Sequence, residues 1–156
     1  MTLAQTPYNR ALDLLSARPY TVRQLRRKLI QKEIPPDEAD GVIDRLLSAG
    51  LLDDTKYALA YTRSKLVGQG ASLRRISQDL ARKGVSTEIS KQAIADVVAD
   101  EDVDTRAVIE RVARKKLASM GDLEPVVLRR RLFAFLARRG YELDEIRDAV
   151  SAIRRN

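Results

Sequence analysis

One feature limits the folds open to this 156-residue chain more than any other: a pattern that recurs three times. With Leu25, Ile76 and Leu132 in register, Leu29, Leu80 and Leu136 fall four residues later, and Lys32, Lys83 and Arg139 seven later. Asp37, Glu88 and Asp144 follow at twelve residues, and Ile43, Ile94 and Val150 at eighteen. A repeat of about 50 residues is longer than the ankyrin or tetratricopeptide period. A unit of that size cannot bury a large core by itself, so neighbouring units must touch.

Within each unit the apolar residues are spaced by three and four, the period of an amphipathic helix. Aromatic residues are 4% of the chain and Trp is absent, so the core must be Leu, Ile, Val and Ala beside helix-forming Arg, Lys, Glu and Gln. About nine helices are expected. The first starts after Pro7 and stops at the Arg18-Pro19 break, and the second runs from a Thr21 cap to before Pro35-Pro36. The third ends at Gly50. An Asp53 or Asp54 cap opens the fourth, which Gly68-Gln-Gly70 closes. Ser72 caps the fifth, which Gly84 ends, and the sixth starts near Thr87. The seventh, near Val103–Met120, is expected to be the longest. The eighth starts at Glu124-Pro125 and stops at Gly140, and the ninth starts near Leu143. The fold class is therefore all-α, as three tandem three-helix repeats over residues 1–54, 55–102 and 103–156.

The residue inventory excludes much chemistry. With no Cys there is no disulfide or thiolate metal site, and with no His the usual general base and commonest metal ligand are missing. Asp53-Asp54 is the one tempting carboxylate pair, and a turn that stops one helix and caps the next accounts for it. Gly68-Gln-Gly70 is too short for a phosphate loop. No catalytic, cofactor or metal site is expected. The sequence shows no secretory leader or bilayer-length apolar run, so a cytoplasmic protein without membrane contact is expected.

Net charge is +7 and uneven: the balance is 0 over residues 1–54, +2 over 55–102 and +5 over 103–156. Basic clusters lie at Arg26-Arg27-Lys28, at Arg74-Arg75 with Arg82-Lys83, at Arg114-Lys115-Lys116, and at Arg129-Arg130-Arg131 with Arg138-Arg139. Helical spacing places Arg75, Arg82 and Lys83 near one face, and Arg131, Arg138 and Arg139 near another. A stripe of that kind suits phosphates or an acidic protein groove, and a plain solvated face explains it as well. Lys32, Lys83 and Arg139 also suit the negative end of a helix dipole. Tyr57 and Tyr61 could stack on bases or pack between repeats.

These residues together resemble the RecX family, regulators of the bacterial recombinase RecA. The resemblance is carried by Gly50-Leu-Leu-Asp-Asp-Thr-Lys-Tyr-Ala58 between the first two repeats and by Thr21-Val-Arg-Gln-Leu-Arg-Arg-Lys-Leu29. Ile76-Ser-Gln-Asp-Leu-Ala-Arg-Lys-Gly-Val85 and Leu136-Ala-Arg-Arg-Gly-Tyr141 with Ile146 complete it, over roughly residues 8–154. The resemblance implies an elongated, curved monomer lying in the groove of a RecA filament on single-stranded DNA, with weak, non-specific DNA contact. There it would inhibit ATP hydrolysis, strand exchange and repressor self-cleavage. Lys32, Arg74, Arg75, Arg82, Lys83, Arg129, Arg130, Arg131, Arg138 and Arg139 are the candidate contact residues. A helical transcription regulator reading duplex DNA is the alternative. In two respects the chain departs from this pattern: the seventh helix and its following turn are longer than their counterparts, and the first repeat lacks the glycine that ends the second helix. Glu33 stands where the later repeats have Gly84 and Gly140, so the first repeat is expected to end its second helix differently.

Overall fold

The computed structural model describes residues 5–154. Among these residues there are nine α-helices and no strand: α1 (Pro7–Ala17), α2 (Val22–Gln31), α3 (Pro36–Ser48), α4 (Asp54–Arg63), α5 (Leu73–Arg82), α6 (Thr87–Asp100), α7 (Thr105–Ala118), α8 (Pro125–Arg138) and α9 (Leu143–Arg154). A π-helical turn, Ser64–Gly68, extends α4.

Polar residues begin these helices where the sequence predicts. Thr21 accepts the Gln24 amide while the Gln24 side chain takes the Thr21 amide, a reciprocal capping box. Asp53, Ser72 and Asp104 cap α4, α5 and α7, and Ser86 caps α6 one residue before the expected start. The seventh helix is not the longest, since α6, α7 and α8 each have 14 residues. Met120 and Gly121 leave the helix because turn bonds from Ser119 and Met120 to Lys116 and Leu117 close α7 early.

Second helices all end in the same way. The amides of Ile34, Val85 and Tyr141 reach back to the carbonyls of Leu29, Leu80 and Leu136, and those of Glu33, Gly84 and Gly140 to Ile30, Ala81 and Ala137. This double closure requires a left-handed residue at the turn. Gly84 and Gly140 supply it at φ +89° and +94°. Glu33 adopts φ 65° in the first unit, so the departure in sequence is not a departure in structure. The closing hydrogen bonds and buried Ile34 outweigh the side-chain strain, and a non-glycine residue is held where glycine would be easier.

Three clusters form the interior. The first gathers Ala11, Leu25, Leu29, Ile43 and Leu46, and the second Leu66, Ile76, Leu80, Ile94 and Val97. The third gathers Ile109, Ala113, Leu132, Leu136 and Ile146. Helix α7 serves two of them, with Val108 in the second and Ile109 in the third. The surface is 10188 Å² for 17.5 kDa, against about 7900 Å² for a compact protein of that mass. The excess is that of an elongated array of small cores.

Candidate binding interface

The joints between units set where the basic residues go, and each joint is built on a hydroxyl. Thr21 Oγ1, besides capping α2, donates to the Lys83 carbonyl at the end of α5 over 2.6 Å. Ser72 Oγ, besides capping α5, donates to the Arg139 carbonyl at the end of α8 over 3.1 Å. The C-terminal end of one second helix thus meets the N-terminal end of the preceding one, bringing opposite dipole ends together. Both hydroxyl residues are almost fully buried, at 0% and 3% exposure.

Glycine makes the approach possible. A Cβ on Gly84 would lie 2.6 Å from the Arg23 Cβ, and one on Gly140 would lie 2.6 Å from Ser72 Oγ. The signature segment completes the first joint. Asp53 accepts the amides of Thr55 and Lys56 within α4, whereas Asp54 Oδ1 accepts the Val22 amide of the first unit at 2.9 Å. The carboxylate pair is two caps on two helices, as a turn reading requires. Burial raises the Asp54 pKa despite that hydrogen bond.

At the second joint the Tyr141 hydroxyl donates to the Gly70 carbonyl over 2.5 Å, and burial pushes the phenol up to about 12. Tyr57 and Tyr61 stack on each other with centroids 6.1 Å apart. Tyr61 donates to Asp79 at 2.9 Å, and burial followed by that partner lifts its pKa to about 12. Burial opposes ionisation of Asp79, but hydrogen bonds from Arg82 and Tyr61 outweigh it and hold the carboxyl below its usual range.

The ten candidate cations divide accordingly. Arg75 and Arg139 are half-buried in the second joint, their guanidinium groups on the carbonyls of Arg138 and, at 2.7 Å, Gln69. Arg74 is ion-paired to Glu142 at 2.8 Å across the same joint, and Arg82 is paired with Asp79. Lys83 Nζ lies 5.3 Å from the Tyr61 ring centroid. Lys32 is exposed at the end of α2, where its carbonyl takes the Arg10 guanidinium at 3.4 Å. Arg129, Arg130, Arg131 and Arg138 are exposed on α8 and belong to no ion pair among the described residues. The basic stripe of the sequence thus divides three ways: Arg74, Arg75 and Arg139 fasten the second and third units together, Arg82 and Lys83 have partners within the second unit, and Lys32 and the four α8 arginines face outward.

Sequence reasoning singled out neither Lys115 nor Lys116 as a contact. With Phe135 and Arg139 they line a cleft of about 510 Å³ between the second and third units. Their lysine pair was visible, but the opposing wall, Gly68-Gln69, comes from another unit and leaves no local signal. Among the described residues no group of His, Asp or Glu is placed to hold a metal ion, and no helix is long and apolar enough to cross a membrane.

Comparison with known proteins agrees with this architecture. Models of the first, second and third three-helix domains of RecX match residues 8–46, 53–94 and 104–150. The chain is 36% identical over 148 residues to the regulatory protein RecX of Xanthomonas axonopodis pv. citri (strain 306), covering 94% of this chain and 86% of that protein. It is 37% identical over 145 residues to the regulatory protein RecX of Mycobacterium sp. (strain KMS), covering 90% and 77%. The crystal structure of RecX from Lactobacillus salivarius superposes with a TM-score of 0.79 at 21% identity, over 96% of both chains. Three matched domains in order, with these relatives over nearly the whole length, establish that the chain belongs to the RecX family.

Proposed function

We propose that this protein is a non-enzymatic negative regulator of the RecA recombinase, acting as a cytoplasmic monomer that lies along the RecA filament on single-stranded DNA. The observation that carries the reading is the set of exposed arginines on α8, with Arg131 and Arg138 on one face and Arg129 and Arg130 beside it, on an elongated array whose family relatives are named as regulatory proteins. A string of small units can follow a filament groove over several subunits, and a set of exposed cations meets either acidic protein or the enclosed phosphates. Occupancy of the groove blocks the second strand and hinders ATP hydrolysis and repressor self-cleavage. Lys32 and Arg82 extend the contact toward the first unit. For truncation, the units are taken as 1–54, 55–102 and 103–156.

The test is DNA-dependent ATP hydrolysis by the cognate recombinase while the protein is added below one copy per recombinase. Suppression is expected, and it should be lost in the triple variant Arg130→Glu/Arg131→Glu/Arg138→Glu, whose helicity must stay unchanged. Those exposed positions are chosen because reversal at Arg75 or Arg139 would open a joint. No effect at equal concentrations, with sequence-selective duplex binding instead, would favour the transcription regulator.

A further inference from the structure

We infer that the cleft between the second and third units is a phosphate-binding subsite for single-stranded nucleic acid, with Lys115 and Lys116 as its charge. The cleft is lined by Gly68 and Gln69 from the second unit and by Lys115, Lys116, Phe135 and Arg139 from the third. Its volume, about 510 Å³, lies within the range of small-ligand sites. The lining has three cations and no carboxylate, whereas the neighbouring depression between α7 and α9 holds Glu110, Asp144, Glu145 and Asp148.

These cations converge on one cleft from two helices and, like the exposed arginines of α8, are not neutralised by a carboxylate. Arg26, Arg63, Arg74, Arg82 and Arg114 are each matched to a carboxylate. Lys115, Lys116 and Arg139 enter no ion pair among the described residues, and Phe135 holds two of them without neutralising charge. Lys116 Nζ is 4.9 Å and Arg139 Cζ 5.5 Å from its ring centroid. Both lysines lie in the last turn of α7, where the dipole favours cations in any case. That accounts for lysines on α7 but not for the convergence of Arg139, from another helix, on the same cleft.

The donors that remain take an anion of either kind, and the open shape of the cleft is what favours a phosphodiester strand. Arg139 uses a guanidinium N–H on the Gln69 carbonyl at 2.7 Å, and its buried Nε has no partner, so the bidentate fork that suits carboxylate and phosphate alike is not presented. What remains are two ammonium groups, compact charges suited to a phosphodiester. The opposite wall is close and smooth. Gly70, whose Cβ would lie 2.6 Å from Val112 Cγ2, presses the turn against α7, and Gly68 has no atom near its own Cβ position. A single strand threads such a cleft more readily than a duplex, whose grooves demand a projecting helix.

The inference rests on the nucleic-acid side of the proposed function, but the two fail separately. The full chain is titrated into a fluorescent oligothymidylate and anisotropy is followed from low to high salt. Lys115→Ala/Lys116→Ala, with an unchanged melting curve, should flatten the salt dependence by roughly 0.7 to 1.4 logarithmic units per decade of salt. Binding at 0.1 M should weaken about 5- to 25-fold. Arg106→Ala/Arg147→Ala, the same charge loss on α7 and α9 away from the cleft, should do much less. Equal loss in the two pairs, or no change in the lysine pair, overturns the cleft. Displacement of the strand by inorganic phosphate at matched ionic strength would make free phosphate the occupant and overturn the strand. A polyglutamate peptide that binds as tightly, and is lost with the same lysines, would overturn it in favour of acidic protein. Wild-type protein that leaves recombinase ATP hydrolysis untouched removes the function proposed above. The lysine variant with unchanged strand binding removes only this site.

Discussion

Replacing Gly140 by alanine should open the second joint, and the size of the effect can be worked from the contacts. Gly140 sits at φ +94°, so any L-residue costs roughly 1–2 kcal/mol, of which a stiffer unfolded chain offsets about 0.4–1. The new Cβ would stand 2.6 Å from Ser72 Oγ and 3.1 Å from Arg75 Cβ. Ser72 must then give up its bond to the Arg139 carbonyl, about 1 kcal/mol, and its cap on α5 is disturbed for about 1 more. The net loss is about 2–3 kcal/mol. Gly50→Ala is the matched control. Gly50 has a left-handed φ of +70° but nothing within 4 Å of a Cβ, so only about 0.5–1 kcal/mol should be lost. Urea unfolding followed by circular dichroism measures both. In a Ser72→Ala background the Gly140→Ala penalty should shrink by about 2 kcal/mol, because neither the bond to the Arg139 carbonyl nor the cap is left to lose. Equal penalties at Gly50 and Gly140, with no coupling to Ser72, would refute the joint as the source of the effect.

Three further outcomes follow from the same geometry. Glu33→Gly should stabilise the protein by about 0.5 kcal/mol, since it relieves a left-handed glutamate at φ 65°, and a lower urea midpoint would contradict this. Asp54→Ala removes the acceptor of the Val22 amide and should cost about 1 kcal/mol, while Asp54→Asn, which keeps a side-chain oxygen, should cost less; equal losses would sink the cap. Tyr61 and Tyr141, pushed to about 12 when folded, keep protons that the unfolded chain releases near 10. Stability should therefore fall as pH rises from about 10 toward 12, and tyrosinate absorbance should show Tyr61 and Tyr141 ionising later in the folded protein than in urea.

The helices were legible because their ends are chemical. Thr21, Asp53, Ser72, Gly50, Gly84 and Gly140 each mark a boundary that the structure keeps. The repeat was legible because a core residue is confined to one face of its helix. The joints were not, since a hydroxyl that caps its own helix looks the same in sequence whether or not it also binds a carbonyl 62 residues away. Glu33 misled for a related reason: sequence records the preference for glycine but not the hydrogen bonds that override it. Helical spacing grouped Arg75 with Arg82 and Lys83 by their angle on one helix. It could not show that Arg75 stands at the end facing α8 and reaches the Arg138 carbonyl. Spacing likewise gave no reason to group Lys115 and Lys116 with Arg139, since their cleft exists only once Gly68-Gln69 folds against α7.

The same joint also explains an asymmetry between the ends of the array. At each inner boundary the carbonyl that closes a second helix is taken by a hydroxyl of the preceding unit. In the first unit the equivalent carbonyl, that of Lys32, is taken by Arg10 of its own α1. In the third unit the position in register with Thr21 and Ser72 is Leu128, which has no hydroxyl and lies inside α8 because that helix begins at Pro125. Leu128 instead lines a groove with Leu117, Leu132, Val150 and Ile153. Neither outward end offers the hydroxyl–carbonyl pair, so two copies of this chain have no means of stringing together through it. The hydroxyl–carbonyl joints are thus closed within the molecule.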